Sequence, residues 1–338
     1  MKPVLLACGH APPDRHAALR ALAQRVPLEL ALYGGRSRHG SVAGADPPGI
    51  AVKHVSQREI GALAASGRYA AVIAGTGGRV ALPAAWRGAR RAGTPFVFWA
   101  ALWRHPRTPA HALSYPLLLA IYRSADAVVT YGEHVSAYVR SKGARNVHVA
   151  PQAVDNEFWA QPADHGPRHP PGFLWVGRPA REKGLRVLRE SWRLAALESD
   201  GARLTIVGDR KHGVGPQPPA ELRNFYAAAD VLIVPSIRTR DFLEPWGLVV
   251  NEAMNQHTAI IASDAVGAAA GGLVRHEHSG LIVPAGEAQA LAGAIRRLWF
   301  DPELRDRLAA AGAREVLAYT PEAWAGGFAR ALAPLLAS

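Results

Sequence analysis

The 338-residue chain is long enough for two domains or one large one, and its 49% of apolar residues suits a substantial buried core. A lone cysteine, Cys8, excludes an intrachain disulfide, and no apolar run approaches the roughly 20 residues of a transmembrane helix. Residues 1–150 hold 19 Lys+Arg and 6 Asp+Glu, a charge of +13, whereas residues 151–338 hold 20 and 21, a charge of −1. The basic half predicts an anionic partner, which is a phospholipid surface, a phosphorylated acceptor or nucleic acid.

The first half of the chain alternates short apolar runs with Ala/Leu/Arg-rich segments. The N-terminal run is too short for a signal peptide and is interpreted as a buried strand. Helices are predicted over residues 14–24 and 133–142. Strands are predicted in KPVLLACG, LELALYG, GIAVKHV, YAAVIAG, TPFVFWA, DAVVTYG and NVHVAP. Such alternation is typical of an α/β fold with a parallel, doubly wound sheet.

The second half begins after a Pro/Gly-rich stretch, QPADHGPRHPPG at residues 161–172, which is interpreted as an interdomain linker. The predicted strands are GFLWVG, RLTIVGD, VLIVPS, TAIIASD and SGLIVP, and the predicted helices are 182–198, one before Asp230, 287–299, 302–319 and 321–336. The sequence therefore predicts an N-terminal Rossmann-like domain over residues 1–160 and a second one over residues 172–320. The last segment, 321–338, is expected to pack back on the first domain.

The end of the strand GFLWVG and the loop that follows it contain three residues that suit a phosphate-binding site. The strand ends at Gly177, and Arg178 and Lys183 follow where a helix is about to begin. Cations beside a glycine turn and a helix start suit a diphosphate. Taken alone, such cations are more typical of a solvated loop.

The segment EPWGLVVNEAM, residues 244–254, adds two carboxylates and a second helix start. Gly247 permits close approach of the backbone, and a helix is predicted to begin near Leu248. Glu244 precedes that start and Glu252 lies inside the helix, so the two bracket an end that favours a phosphate. A carboxylate on each side suits the hydroxyls of a sugar and of a ribose, which together indicate a sugar nucleotide.

From these segments onward the sequence resembles the retaining glycosyltransferases of family 4 (glycosyltransferase group 1), which have the GT-B fold. The resemblance covers about residues 172–330 and is looser in the first half, where ADAVVTYGEHVSAYV leads to VAPQAVDNEFW. It implies two Rossmann-like domains that face each other across a cleft. The matching segments are VGRPAREKGL, LTIVGD, ADVLIVPS, EPWGLVVNEAM, AIIASDAVG and HSGLIVPAGEAQALAGAI.

The resemblance also implies roles for the residues around the two glutamates. Glu244 is expected to contact hydroxyls of the donor sugar and Glu252 the ribose, while Arg178 and Lys183 hold the diphosphate. The donor-binding residues implied by the resemblance are Gly177, Arg178, Lys183, Glu244, Trp246, Gly247, Leu248 and Glu252. The expected catalytic residues are Glu244, Arg178, Lys183 and His105.

Two departures from the family pattern concern the donor side. His257 stands where the family commonly has a glycine, which puts the local approach of backbone to ligand in question. Residues 209–220 are short, with only a loop, RKHGVGPQPP, where the family often recognises the base. The donor is therefore expected to be a UDP- or GDP-linked sugar, with the base left open.

The sequence has no Asp-x-Asp at a strand end and no His/Cys cluster with metal-ligand spacing. We therefore expect a metal-independent reaction that needs no cofactor besides the donor substrate. In place of a metal ion, Arg178 and Lys183 would stabilise the leaving diphosphate.

Acceptor-side candidates lie in the first half of the chain. His105 follows the strand TPFVFWA, whereas related enzymes commonly have a histidine at the strand end, where this chain has Trp99. Gly9 and His10 follow the first strand, and Glu133 begins a helix. An exposed loop for each histidine and a helix-terminal acid for Glu133 are the structural alternatives.

A mixed aromatic and basic set is a candidate membrane-facing patch. It consists of Trp86, Arg87, Arg90, Arg91, Trp103, Arg104 and the apolar run 113–122. Buried tryptophans beside solvated arginines are the alternative interpretation.

Together these features predict a retaining glycosyltransferase of the cytoplasm or of the inner face of the cell membrane. Its acceptor would be a lipid-linked saccharide of a surface polysaccharide. A soluble small-molecule acceptor, another GT-B enzyme such as a sugar-nucleotide epimerase, and a nucleic-acid-binding protein are the alternatives. No nucleic-acid partner is expected, because the chain has no recognisable nucleic-acid module.

Overall fold

The computed structural model describes residues 2–34, 46–78, 80–163 and 172–337. Most of the predicted linker, residues 164–171, lies outside the described residues. Within them, no helix is both long and apolar enough to cross a lipid bilayer.

The structure has strands at all twelve predicted positions. These are β1 Val4–Cys8, β2 Leu28–Leu32, β3 Ala51–His54, β4 Ala71–Gly75, β5 Phe96–Ala100, β6 Ala127–Thr130, β7 Val147–Val149, β8 Gly172–Val176, β9 Arg203–Val207, β10 Val231–Val234, β11 Ala259–Ser263 and β12 Leu281–Val283. The helices are α1 His16–Ala23, α2 Glu59–Ala64, α3 Ala81–Arg91, α4 Pro109–Ser124, α5 Glu133–Ser141, α6 Asn156–Trp159, α7 Leu185–Ala195, α8 Pro219–Ala228, α9 Val249–Asn255, α10 Gly267–Ala270, α11 Ala288–Phe300, α12 Pro302–Val316 and α13 Pro321–Leu336.

Three of the long helices begin with the same local signal. Thr108, Asp301 and Thr320 each accept a hydrogen bond from the backbone N–H three residues later. A proline follows each of them at the first helical position, where a missing N–H costs nothing. The starts of α4, α12 and α13 are therefore fixed by local sequence.

The chain forms two compact units. Unit 1 comprises residues 1–155 and 320–338, and unit 2 comprises residues 156–319. Unit 1 holds 20 Lys+Arg and 8 Asp+Glu, a charge of +12, while unit 2 holds 19 of each and is neutral. The last helix, α13, belongs to unit 1.

Unit 1 is built on a seven-stranded parallel sheet with the order β3-β2-β1-β4-β5-β6-β7. Side chains of β1 alternate between two cores, since Val4 and Leu6 pack with α13 whereas Leu5 and Ala7 pack on the opposite face. Burial on both faces explains why this strand is apolar throughout. This arrangement confirms the predicted doubly wound sheet.

Unit 2 is built on a five-stranded parallel sheet with the order β12-β11-β10-β8-β9. One of its cores contains Phe173 and Trp175 of β8, packed with residues of α7, α11 and α12. The chain moves from β8 to β9 on one side and then returns to the other side of β8 with β10. That reversal creates a switch point between β8 and β10, where open α/β sheets place their ligands.

Candidate active site

The predicted donor residues of unit 2 follow the two strands on either side of this switch point. Gly177, Arg178 and Lys183 come after β8, whereas Ser236 and Glu244 come after β10. Parallel neighbouring strands end at the same edge of a sheet, so these residues share one edge.

The structure joins two of the predicted residues directly. Lys183 Nζ lies 2.5 Å from Glu244 Oε2, and the Ser236 hydroxyl donates to the same oxygen at 3.4 Å. The Glu244 side chain is only 5% exposed, and that of Lys183 is 20% exposed. A carboxylate this deeply buried requires a compensating charge, and Lys183 provides it.

The backbone at Gly184 fixes the position of Lys183. A short 3-10 turn, Arg181–Lys183, ends at Gly184, which has a φ of 70°. A Cβ at Gly184 would lie 1.9 Å from the carbonyl oxygen of Pro235, so only glycine fits here. This residue also explains why α7 begins at Leu185, three residues later than predicted.

Arg178 lies on the same loop but has a local partner. Its guanidinium donates to Glu182 Oε1 at 2.8 Å, and its side chain remains 36% exposed. The backbone of the preceding Gly177 is closely packed, because a Cβ at Gly208 would lie 2.1 Å from the Gly177 carbonyl oxygen. Arg178 is thus a half-exposed cation on a tightly packed backbone.

The loop between Glu244 and α9 is held by a second close backbone contact. Glu244 pairs with Val266 in an isolated β-bridge, and the Ala268 N–H donates to the carbonyl of Trp246 at 2.8 Å. A Cβ at Gly267 would lie 1.9 Å from the Pro245 carbonyl oxygen. The segment that carries Glu244 therefore packs backbone against backbone.

Trp246 and Gly247 form the end of this loop, directly before the start of α9. The indole of Trp246 is buried and donates from Nε1 to Asn251 Oδ1 at 2.8 Å. Gly247 has a φ of 96°, and Leu248 directly precedes the first residue of α9. The predicted helix start near Leu248 is confirmed.

Glu252 lies in the first turn of α9 and is half-buried. The buried phenol of Tyr226 donates to its Oε2 at 2.6 Å. Burial first, and then the charge of Glu252, raise the pKa of Tyr226 well above its usual value. The hydroxyl therefore remains a donor at neutral pH and orients the carboxylate.

Sequence reasoning did not assign site roles to Ser236, Asn251 and Tyr226. Asn251 lies inside the segment EPWGLVVNEAM, and Ser236 ends the predicted strand VLIVPS. Both residues could therefore have been found from their position in segments that were already assigned to the site. Tyr226 is 26 positions before its partner, Glu252, and no sequence motif links the two residues.

The two departures from the family pattern have structural counterparts. His257 has a φ of 55°, in the left-handed region that favours glycine, so the position keeps the backbone requirement of a glycine. Residues 208–218 form the expected short loop, in which Asp209 binds His212 Nδ1 at 2.6 Å and the Lys211 N–H at 2.9 Å. These hydrogen bonds, with that to His212 the largest effect, lower the pKa of Asp209.

The acceptor-side candidates all follow strands of unit 1 at its carboxyl edge. Gly9 and His10 follow β1, His105 follows β5, and Glu133 follows β6. Two strands separate β1 from β6 in the sheet, which places their ends about 14 Å apart at ~4.8 Å per strand. At this separation along the sheet edge, His10 and Glu133 are not in contact.

Their individual surroundings differ. His105 Nε2 lies 3.0 Å from the carbonyl oxygen of His111, and its ring packs on Tyr115 at 4.4 Å. Glu133 is exposed and pairs with Arg140 of its own helix at 3.2 Å. His10 is exposed.

Trp99, at the strand position where the family commonly has a histidine, is a core residue of unit 1. Its ring packs edge-on against Trp324 and Phe328 of α13, and the guanidinium of Arg15 lies 4.8 Å from its centroid. A cation over a tryptophan face adds about 0.5–2 kcal/mol to such packing.

The family match of this sequence lies in unit 2. Residues 157–315 match the family model described as glycosyl transferases group 1. A lipopolysaccharide core biosynthesis glycosyltransferase, LpsE of Rhizobium meliloti, is 27% identical over 223 residues, which are 59% of this chain and 61% of that protein. A D-inositol 3-phosphate glycosyltransferase of Acidothermus cellulolyticus is 40% identical over 122 residues, 35% of this chain and 24% of that protein. The chain thus spans less than two thirds of the length of these relatives.

The fold matches over the whole chain. The structure of Anabaena HepE in complex with UDP and glucose is similar with a TM-score of 0.76 and 16% identity, covering 99% of this chain and all of that one. The predicted resemblance is confirmed: the chain has the GT-B fold, and its residues 157–315 match the glycosyl transferases group 1.

Proposed function

We propose that the chain is a retaining, metal-independent glycosyltransferase that moves a hexose from a nucleotide-sugar donor to a saccharide acceptor. The observation that carries this proposal is the buried Lys183–Glu244 pair at the switch point of unit 2, with Arg178 on the same loop. The two cations at this sheet edge suit the negative charge of a diphosphate, and the carboxylate suits the hydroxyl donors of a sugar.

The ion pair has a role in donor binding. A diphosphate carries more negative charge than a carboxylate, so it competes with Glu244 for Lys183 when the donor enters. Glu244 is then available to accept hydrogen bonds from hydroxyls of the sugar. The cations Lys183 and Arg178 stabilise the charge that develops on the leaving diphosphate, which is the chemistry that a metal ion would otherwise supply.

Glu252 and the α9 start serve the nucleotide. Tyr226 holds the Glu252 carboxylate by its Oε2, and a carboxylate is a hydrogen-bond acceptor that suits the hydroxyls of a ribose diol. We propose UDP as the nucleotide, supported by the UDP and glucose bound to the fold relative HepE, with GDP as the alternative.

We propose that unit 1 meets the acceptor. Its charge of +12 suits an acceptor that carries phosphate, and the relative LpsE is named for lipopolysaccharide core biosynthesis. A lipid-linked saccharide at the inner face of the cell membrane satisfies both observations. Attack by the acceptor and loss of the diphosphate then occur on one face of the sugar, with His105, His10, Gly9 and Glu133 as acceptor-side candidates.

A soluble phosphorylated acceptor is the second candidate. The same positive charge would attract it, and the D-inositol 3-phosphate glycosyltransferase relative supports it. Both candidate acceptors carry phosphate, and only the first is attached to a lipid.

The test is donor turnover with and without acceptor, using UDP-glucose and GDP-mannose as probes. We expect nucleotide release that depends on acceptor, an α-configured product from an α-linked donor by NMR, and undiminished activity after EDTA treatment. Glu244→Gln should abolish transfer, whereas the matched control Glu190→Gln, an exposed residue of α7, should not. Absence of nucleotide binding would reject the proposal, and a requirement for added divalent cation would reject its metal-free form.

A further inference from the structure

One stretch of unit 1 has a charge distribution that donor binding does not explain. Between Glu59 and Asp126 the sequence contains no acidic residue, while it contains eight arginines. Composition bias raises arginine in both halves of the chain, but it does not remove acids from one segment. The stretch contains β4, β5, α3, α4 and nearly all of α2.

Two helices at the start of this stretch form a groove. α2 and α3 approach closely, because a Cβ at Gly88 would lie 2.4 Å from the Gly61 carbonyl oxygen and 2.8 Å from the Ala64 Cβ. The groove beside this contact has a volume of about 390 Å³. Its floor is made of glycine and alanine, and its rim carries Arg58, Arg87 and Arg91.

Among the described residues, no carboxylate forms an ion pair with any of these three arginines. In the part of the chain that the structure describes, the salt bridges of unit 1 that involve arginine are those of Arg68 and Arg140. The acid nearest the groove in sequence, Glu59, accepts a hydrogen bond from the Ser56 N–H at 2.7 Å. Three exposed guanidinium groups therefore surround a small apolar floor.

We infer that this groove docks the protein on an anionic bilayer, with one phospholipid headgroup phosphate held between Arg58, Arg87 and Arg91. A guanidinium binds phosphate oxygens through paired N–H groups, and small floor residues let the headgroup approach the helix backbones. The spacing fits this use, since Arg87 and Arg91 are four residues apart on α3 and so share one face.

The surroundings favour a lipid surface over a nucleic acid. Proteins that bind single-stranded nucleic acids commonly stack the bases on aromatic side chains. The aromatic residue of α3, Trp86, donates from its indole to Ser124 Oγ at 3.0 Å, and Arg90 covers its ring at 5.3 Å. Among the described residues that line the groove, none is aromatic. Docking through this groove deepens the acceptor proposal, because it places unit 1 on the membrane where a lipid-linked acceptor would be. The docking itself depends only on residues of unit 1.

The experiment is vesicle sedimentation with the full chain at low salt. The probes are phosphatidylcholine vesicles with and without phosphatidylglycerol. Wild-type protein should bind only the anionic vesicles, and Arg58→Gln/Arg87→Gln/Arg91→Gln should weaken binding about a hundredfold, at roughly 1 kcal/mol per basic residue near such a surface. Binding should also fall as salt shortens the Debye length below ~8 Å.

A matched control removes the same charge elsewhere. Arg186→Gln/Arg189→Gln/Arg193→Gln takes three exposed arginines from one face of α7 in the neutral unit 2, and it should bind anionic vesicles like the wild type. Circular dichroism and UDP affinity, both expected to be unchanged, show that the groove variant is folded.

Equal binding by the groove variant and the wild type would overturn the inference. So would binding of duplex DNA as tight as that of anionic vesicles at the same salt, because a nucleic acid would then be the better partner. Failure of the transferase assay with intact, groove-dependent vesicle binding would reject the proposed function and leave this inference standing.

Discussion

Replacing Lys183 by methionine tests the central feature of the candidate site. The substitution keeps the length of the side chain and removes its charge. It leaves the Glu244 carboxylate, 5% exposed, without the ammonium group at 2.5 Å, while the Ser236 hydroxyl stays at 3.4 Å. The folded state then keeps a buried carboxylate that has lost its ion pair with Lys183.

The magnitude follows from the burial of the pair. Removing one partner of a fully buried ion pair costs about 3–5 kcal/mol. Water reaches part of the Lys183 side chain, which is 20% exposed, so we expect a smaller loss of about 2–4 kcal/mol. For a domain of this size each kcal/mol lowers Tm by about 2–4 °C.

The double variant Lys183→Met/Glu244→Gln separates charge burial from packing. It removes the buried carboxylate together with its cation, so it should unfold at a higher urea concentration than Lys183→Met alone. A coupling free energy of about 2 kcal/mol is expected, which is within the range for residues in contact. Both variants should lose sugar transfer, because each lacks a diphosphate cation.

Urea unfolding followed by tryptophan fluorescence measures these stabilities, and nucleotide release measures transfer. Equal stability of Lys183→Met and the double variant would refute the reasoning, since the buried charge would then have no cost. Wild-type transfer by folded Lys183→Met would refute the role of this cation at the diphosphate.

The other predictions concern the nucleotide end of the site and its backbone. Glu252→Ala should weaken UDP binding about 10- to 100-fold, from loss of a charge-assisted hydrogen bond of ~1.5–3 kcal/mol, and unchanged affinity by calorimetry would reject the ribose role. Because the pKa of Tyr226 is raised in the folded state, its contribution to stability is complete below the unfolded pKa of about 10 and is lost as pH rises above it. Tyr226→Phe should therefore reduce the alkaline loss of stability by up to about 1.4 kcal/mol per pH unit in urea unfolding, and an unaltered pH profile would contradict this. Gly184→Ala should cost more than about 3 kcal/mol, because its Cβ would lie 1.9 Å from the Pro235 carbonyl, whereas Gly286→Ala, also at positive φ but in open space, should cost only the ~1–2 kcal/mol of the backbone. Similar losses for the two glycine variants would show that the close contact is unimportant.

The sequence alone determined the elements of both sheets and the starts of several helices. The twelve strands of the described residues lie where apolar runs predicted them, and the signal is clearest in strands such as β1 and β5, which are buried and apolar at every position. Capping residues followed by proline fix the starts of α12 and α13 within a few residues of sequence. The segments around Lys183 and Glu244 were recognised for the same reason, since their glycines and helix starts are local features.

Contacts between distant residues were decided by the tertiary structure. Lys183 and Glu244 are 61 positions apart, and their pairing depends on the order in which β8 and β10 lie in the sheet. The same holds for Tyr226 and Glu252 and for the arginine groove, which exists because Gly61 and Gly88 let two helices approach. Local sequence specifies backbone conformation through short-range sterics and hydrogen bonds, whereas the charge that a buried side chain meets is set by packing between elements.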